Sequence, residues 1–182
     1  MEPCHYMTIK EALEAYWLFD EFFVQKIGNE IFKALIILKK IGLFHGWINT
    51  NNIFISIEGK NLDIKISDYG LFNVLHWSDK LSLEEGSWYD IICLGILILK
   101  MLGRLRQGEV GNIQKVFLNS QAFSSLYRNE GISSKLTNFL DLCFDERTTL
   151  EILRRCPFLT GFSSSSIINE EASNVDSSDS YS

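Results

Sequence analysis

The sequence predicts a mainly α-helical domain that carries one small β-hairpin. Three observations lead there. Apolar residues recur at three-to-four spacing over long stretches, two short β-branched runs flank a Glu-Gly-Lys-Asn turn, and the stretch Trp88 to Leu102 is apolar on almost every side. With 182 residues, nearly half of them apolar, the chain can bury one sizeable core.

In chain order, residues 8–16 read as a short helix. Phe22 to Ile41 read as a longer one, with Val24, Ile27, Ile31, Leu35, Leu38 and Ile41 forming a single buried stripe. Lys39 and Lys40 in the last turn complement the helix dipole, and Gly42 stands where a helix ends in a left-handed residue. Ile53 to Ile57 and Leu62 to Ser67 are the strands of the hairpin, joined through Glu58-Gly59-Lys60-Asn61. Trp88 to Leu102 has so little polar face that it must be a helix buried all round. It is too short, and too closely bounded by Asp90 and Lys100, to span a bilayer. Ser133 to Phe144 and Thr148 to Cys156 read as two further helices, the second ended by Pro157. The organisation is one domain over residues 1–162 and a Ser-rich acidic tail over 163–182. That tail is expected to be disordered because it buries too little to offset its ordering entropy.

Charge and cysteine usage exclude several function classes. The net charge is -6, and the tail holds Glu170, Glu171, Asp176 and Asp179 without a Lys or Arg, leaving the rest at about -2. No basic run with interleaved aromatics supplies the counterion release that drives nucleic-acid binding, so neither DNA nor RNA is expected as a partner. Cys4, Cys93, Cys143 and Cys156 are scattered without metal-ligand spacing and read as free thiols in a reducing compartment. Met1 to Lys10 lacks the plan of a signal peptide, and no membrane span is expected; a cytoplasmic location follows as the expectation.

The chemistry is carried by His45-Gly46-Trp47-Ile48-Asn49-Thr50-Asn51-Asn52-Ile53-Phe54-Ile55 and, thirteen residues after Ile55, by Asp68 in Ser67-Asp68-Tyr69-Gly70. The first resembles the protein-kinase catalytic loop, H-R-D-L-x-x-x-N followed by an apolar strand, and the second stands at the place of D-F-G. Asp90-Ile91-Ile92-Cys93-Leu94-Gly95 is similar to the start of the family's central buried helix, whose Asp braces the loop. Cys143 to Leu153 with Pro157-Phe158 resembles the closing segment, and Met1 to Cys4 the hinge between lobes. Within the superfamily the chain resembles the degenerate kinase-like domain of the general-control kinases that act on a translation initiation factor.

The resemblance implies a protein-kinase-like C-terminal (large) lobe with the N-terminal lobe absent. It also implies a damaged site. The proton-acceptor position holds Trp47, which has no acceptor, and the loop Lys position holds Asn49. Asn52 and Asp68 persist as vestigial magnesium-ATP positions, so any nucleotide is expected to bind weakly. The catalytic set is empty, and the expected role is a pseudokinase-type regulatory module whose partner is another protein, a kinase domain among the candidates. The alternatives are a low-rate phosphotransferase using Asp63 or Asp79 as base, and a fragment of a larger kinase. Each residue also has a plainer reading: His45 as a core histidine bonded to backbone, Asp68 as a turn residue, Asn52 as a loop pin, and Trp47 as an aromatic filling the vacated cleft. In the family the Arg at Arg147 pairs with a Glu that is missing here, and Glu84 or Glu85 is the expected substitute. Without the first lobe, the surface around Phe54 and Tyr69 is expected to be exposed and apolar.

Overall fold

The computed structural model describes residues 6–17, 19–58, 61–68, 81–105, 124, 126–128 and 131–160. The expectations placed on Met1 to Cys4, on Tyr69 and Gly70, on Asp79 and on the tail over 163–182 lie outside the described residues.

The elements run β1 (Met7–Thr8), α1 (Ile9–Glu14), α2 (Glu21–Lys40), β2 (Ile53–Glu58), β3 (Asn61–Ile66), α3 (Leu83–Met101), α4 (Ser134–Cys143), α5 (Leu150–Leu153) and α6 (Pro157–Thr160). The predicted hairpin is present, with Ile53 opposite Ile66 and Ile55 opposite Ile64. It is enlarged by β1, which pairs antiparallel with β2 through Met7 and Ile55. Two residues of strand leave no periodicity in a sequence, so only the fold reveals this third member.

Helix α1 starts after Thr8, whose hydroxyl accepts from Glu11 N while Glu11 accepts from Thr8 N, a reciprocal cap. Beyond its C-cap Ala15 stands Tyr16, which is left-handed at φ 59 and 92% exposed, with Trp17 N donating to Ala12 O. A bulky residue is strained in that conformation, where glycine is not. Tyr16→Gly is therefore expected to stabilise the fold by about 0.5–1 kcal/mol net of glycine's greater unfolded-state freedom, read as a higher urea midpoint.

Helix α2 buries Val24, Ile27, Ile31, Phe32 and Leu35, most of the predicted stripe. Ile41 departs from it. As the C-cap it has left the helical face and is 65% exposed. Gly42 follows at φ 77, and Leu43 N donates to Leu38 O, the predicted helix stop.

Helix α3 begins five residues earlier than the apolar run suggests. Ser82 caps it with Glu85 in a second reciprocal pair, a Ser-x-x-Glu signal that hydrophobicity alone passes over. From Tyr89 to Leu99 every side of this helix is buried, and it forms the spine on which α2 and α4 pack. Two glycines permit the closest approaches: a Cβ at Gly86 would lie 2.3 Å from the Phe44 ring, and one at Gly95 would lie 2.8 Å from Cys143 Cβ.

The closing helices are shorter than predicted. Thr149 caps α5, the chain turns through Arg154 and Arg155, and Pro157 opens α6 instead of only ending α5. A proline suits a first helical position because it lacks only an N–H that would have no partner there. Among the described residues no helix is long and apolar enough to cross a membrane.

Candidate functional site

The site is built on the irregular loop that joins α2 to β2. A loop without secondary structure must satisfy its backbone polar groups some other way if it is buried. This one is buried: Phe44, His45, Ile48, Thr50 and Asn52 are each at most 7% exposed.

Asp90 of α3 supplies the first anchor. Its Oδ2 accepts from His45 N and its Oδ1 from Gly46 N, both at 2.7 Å. Gly46 takes the left-handed conformation, φ 75, that lets both N–H groups face one carboxylate. Burial pushes the Asp90 carboxyl up to about 7, against the pull of those two donors. The bracing expected of Asp90 is what the fold contains.

His45 is the second anchor. Its Nε2 lies 2.9 Å from Ser67 O, and its Nδ1 lies 3.1 Å from Trp47 N. A carbonyl can only accept and an amide can only donate, so the ring is the neutral Nε2–H tautomer with Nδ1 as acceptor. This is the backbone-bonded core histidine of the plainer reading. It also ties the loop to the end of β3, where Ser67 N donates to Asn52 O.

Burial first, opposed by the Ser67 carbonyl and the Asp68 charge, holds the His45 pKa below its usual 6.5. The unfolded chain thus takes up a proton that the native ring refuses, and His45's contribution to stability is lost as pH falls below about 6.5. Asp90, with its raised pKa, slopes the opposite way between the unfolded and native values. The His45 effect is therefore sought in the difference between wild type and His45→Gln, a gap expected to shrink from about pH 7.5 to about pH 5.5 in urea denaturation.

Asparagines form the third anchor. Asn52, 1% exposed, accepts at Oδ1 from Asn49 N and donates from Nδ2 to Trp47 O. Asn49 donates from Nδ2 to the same carbonyl at 2.8 Å, and its Oδ1 accepts from Asn51 N. Asn49, predicted as the place of a missing lysine, thus works on the backbone. Trp47 sits between these anchors, half-buried and packed on the core.

Asp68 lies one residue beyond the strand-end contact, exposed and left-handed at φ 65. Its carboxylate accepts from Ser67 Oγ at 3.2 Å. A magnesium ion asks for several oxygen ligands converging in near-octahedral geometry. Asp68 offers an open carboxylate, while the Asn52 amide is buried and bonded within its own loop. Among the described residues no three His, Cys, Asp or Glu side chains gather into a metal cluster. Burial raises the Cys93 thiol to about 12 and holds Cys143 well above its usual value, which keeps both in the neutral form.

The fold thus brings His45, Gly46, Trp47, Asn49, Asn52, Asp68 and Asp90 into one neighbourhood. It does not bring Arg147 to Glu84 or Glu85. Arg147, 84% exposed in its side chain, pairs with Asp145 through Nε and Nη2, both at 3.1 Å, and Glu85 is spent on the α3 cap. The local turn Asp145-Glu146-Arg147 wins because it closes the pair without ordering a distant segment. Asp63, the alternative base, accepts from the Tyr6 hydroxyl. Phe54 is half-buried rather than exposed, and Tyr69 lies outside the described residues.

No protein-family model matches the chain. Curated relatives do. A probable serine/threonine-protein kinase of Dictyostelium discoideum is 24% identical over 191 residues, covering 88% of this chain and 15% of that protein. Mitogen-activated protein kinase kinase 10 of Arabidopsis thaliana is 25% identical over 190 residues, covering 87% and 60%. The chain therefore spans between about a seventh and three fifths of the relatives it matches. Among solved structures, the Rad53 kinase domain with SCD2 superposes with a TM-score of 0.68 at 19% identity, over 88% of this chain and 66% of that one. A loop tied to a strand end by His45 and to a buried helix by Asp90, in a chain whose backbone follows Rad53 over most of its length, has a protein-kinase-like fold.

Proposed function

We propose that this kinase-like domain has lost phosphotransfer chemistry and works by binding another protein. The reading rests on the likeness of His45 to Ile55 to the kinase catalytic loop, which puts Trp47 in the place of the proton acceptor, in a loop whose backbone is bonded by Asp90, His45, Asn49 and Asn52. A base that must accept a hydroxyl proton cannot be an indole, whose polar atom only donates. General-base catalysis is typically worth roughly 10²- to 10⁴-fold, and no basic side chain at Asn49 makes up the loss. The scaffold is retained while the acceptor is not, as suits a domain kept for its surface. In this reading the described residues correspond to the large lobe, and a kinase domain is among its candidate partners.

Magnesium-ATP is the ligand to test, because the matched proteins are kinases. The AMP-PNP complex of Rad53, superposing with a TM-score of 0.65 at 18% identity over 87% of this chain, is a complex of that protein. The decisive experiment incubates the purified chain with magnesium-ATP and a generic protein substrate, beside Asp68→Ala. Phosphate transfer at background level in both is the expected result. Transfer that Asp68→Ala abolishes would refute the proposal and favour the low-rate phosphotransferase.

A further inference from the structure

The outer face of α2 bears an apolar strip with no covering element among the described residues. Ile37 and Ile41, four residues apart, point away from the buried stripe and are 61% and 65% exposed; Leu43, 42% exposed, extends the strip. Basic groups border it. Lys39 is joined to Glu151 of α5 at 3.0 Å, and Arg154 and Arg155 follow Glu151 by three and four residues. Lys40, Arg154 and Arg155 have no ion pair among the described residues, whereas Lys33 further up the face is paired with Glu30 at 2.6 Å. An apolar strip flanked by unpaired cations fits an apolar segment followed by acids.

The chain itself holds such a segment. Beyond Phe162 come Ile167-Ile168-Asn169-Glu170-Glu171, with Asp176 and Asp179 further on and no Lys or Arg to oppose them. It starts close by. Gln25 of α2 donates to Phe158 O in α6, so the chain leaves α6 alongside α2. From Gln25 to Ile37 is about 18 Å at 1.5 Å per residue. The seven residues from Thr160 to Ile167 reach up to about 23 Å when extended. We propose that the acidic segment folds back onto the outer face of α2, seating Ile167 and Ile168 on Ile37 and Ile41 and bringing Glu170 and Glu171 to Lys40, Arg154 and Arg155. The contact is small, but a short tether gives it a local concentration in the millimolar range, enough to populate a weak seat. While seated, the segment denies this face to any other partner.

Zero-length carbodiimide cross-linking of the full chain, followed by peptide mapping of the monomer band, tests the proposal. The expected result is an intramolecular link from Glu170 or Glu171 to Lys40, falling roughly five-fold or more in Ile37→Ser/Ile41→Ser and when salt is raised to about 0.5 M. Both isoleucines are exposed, so the double variant should keep the wild-type melting temperature, which circular dichroism verifies. No link to Lys40 overturns the proposal. So do links spread evenly over Lys10, Lys26 and Lys65, a yield indifferent to the serine substitutions, or links confined to a dimer band, which would assign the strip to a second copy.

Discussion

Gly86→Ala should lower stability by about 3 kcal/mol, at the upper end of what one added methyl costs in a packed core. The new Cβ would lie 2.3 Å from Phe44 Cδ1 and Cγ, inside any attainable carbon contact. Phe44 is 7% exposed and has no room to retreat without dragging the residue that follows it, which is His45. The substitution thus strains the loop's entry as well as the helix crossing. The measurement is the urea midpoint at unchanged m-value. Gly28→Ala is the control, because there the nearest atom is Ile98 Cδ1 at 3.4 Å, an ordinary contact. Alanine's higher helix propensity, worth up to about 1 kcal/mol, should leave that variant equal to or more stable than wild type. Equal losses from the two substitutions would show that the Phe44 contact does not limit the packing.

Asp90→Ala should cost about 2 kcal/mol. It leaves His45 N and Gly46 N buried without acceptors, at roughly 1–3 kcal/mol each, while relief of the carboxylate's own burial offsets part of that loss. Asp90→Asn, which keeps one acceptor oxygen, should cost less than the alanine variant. Hydrogen exchange separates this from a general loss of stability: the His45 and Gly46 amides should lose more protection than the amides of α4, which Asp90 does not touch. Uniform loss across both regions would count against a local anchor.

How far the sequence reaches differs from one part of the molecule to the next. The stripe of α2, the hairpin, the buried α3 and the stop at Gly42 were all legible, because each shows in periodicity, apolar content or turn chemistry over residues close in sequence. The site was legible as a set of names. His45, Trp47, Asn49, Asn52, Asp68 and Asp90 could be picked out by their order in the chain, but not the bonds among them. Asn49 was legible as a position without charge but not as a donor to the Trp47 carbonyl; Glu84 or Glu85 was offered to Arg147, whereas Asp145 was two residues away.

The amino-acid order by itself determined where the long helices and the hairpin form, since these depend on local geometry and on the chemistry of single side chains. Tertiary structure alone decided how a buried loop without regular hydrogen bonding is satisfied, with Asp90 from one side, His45 across to Ser67, and the asparagines within. It also decided that Gly86 must be a glycine and that β1 exists. The reason is physical. A buried donor needs an acceptor, but any acceptor in the chain will serve until packing brings one of them within 3 Å.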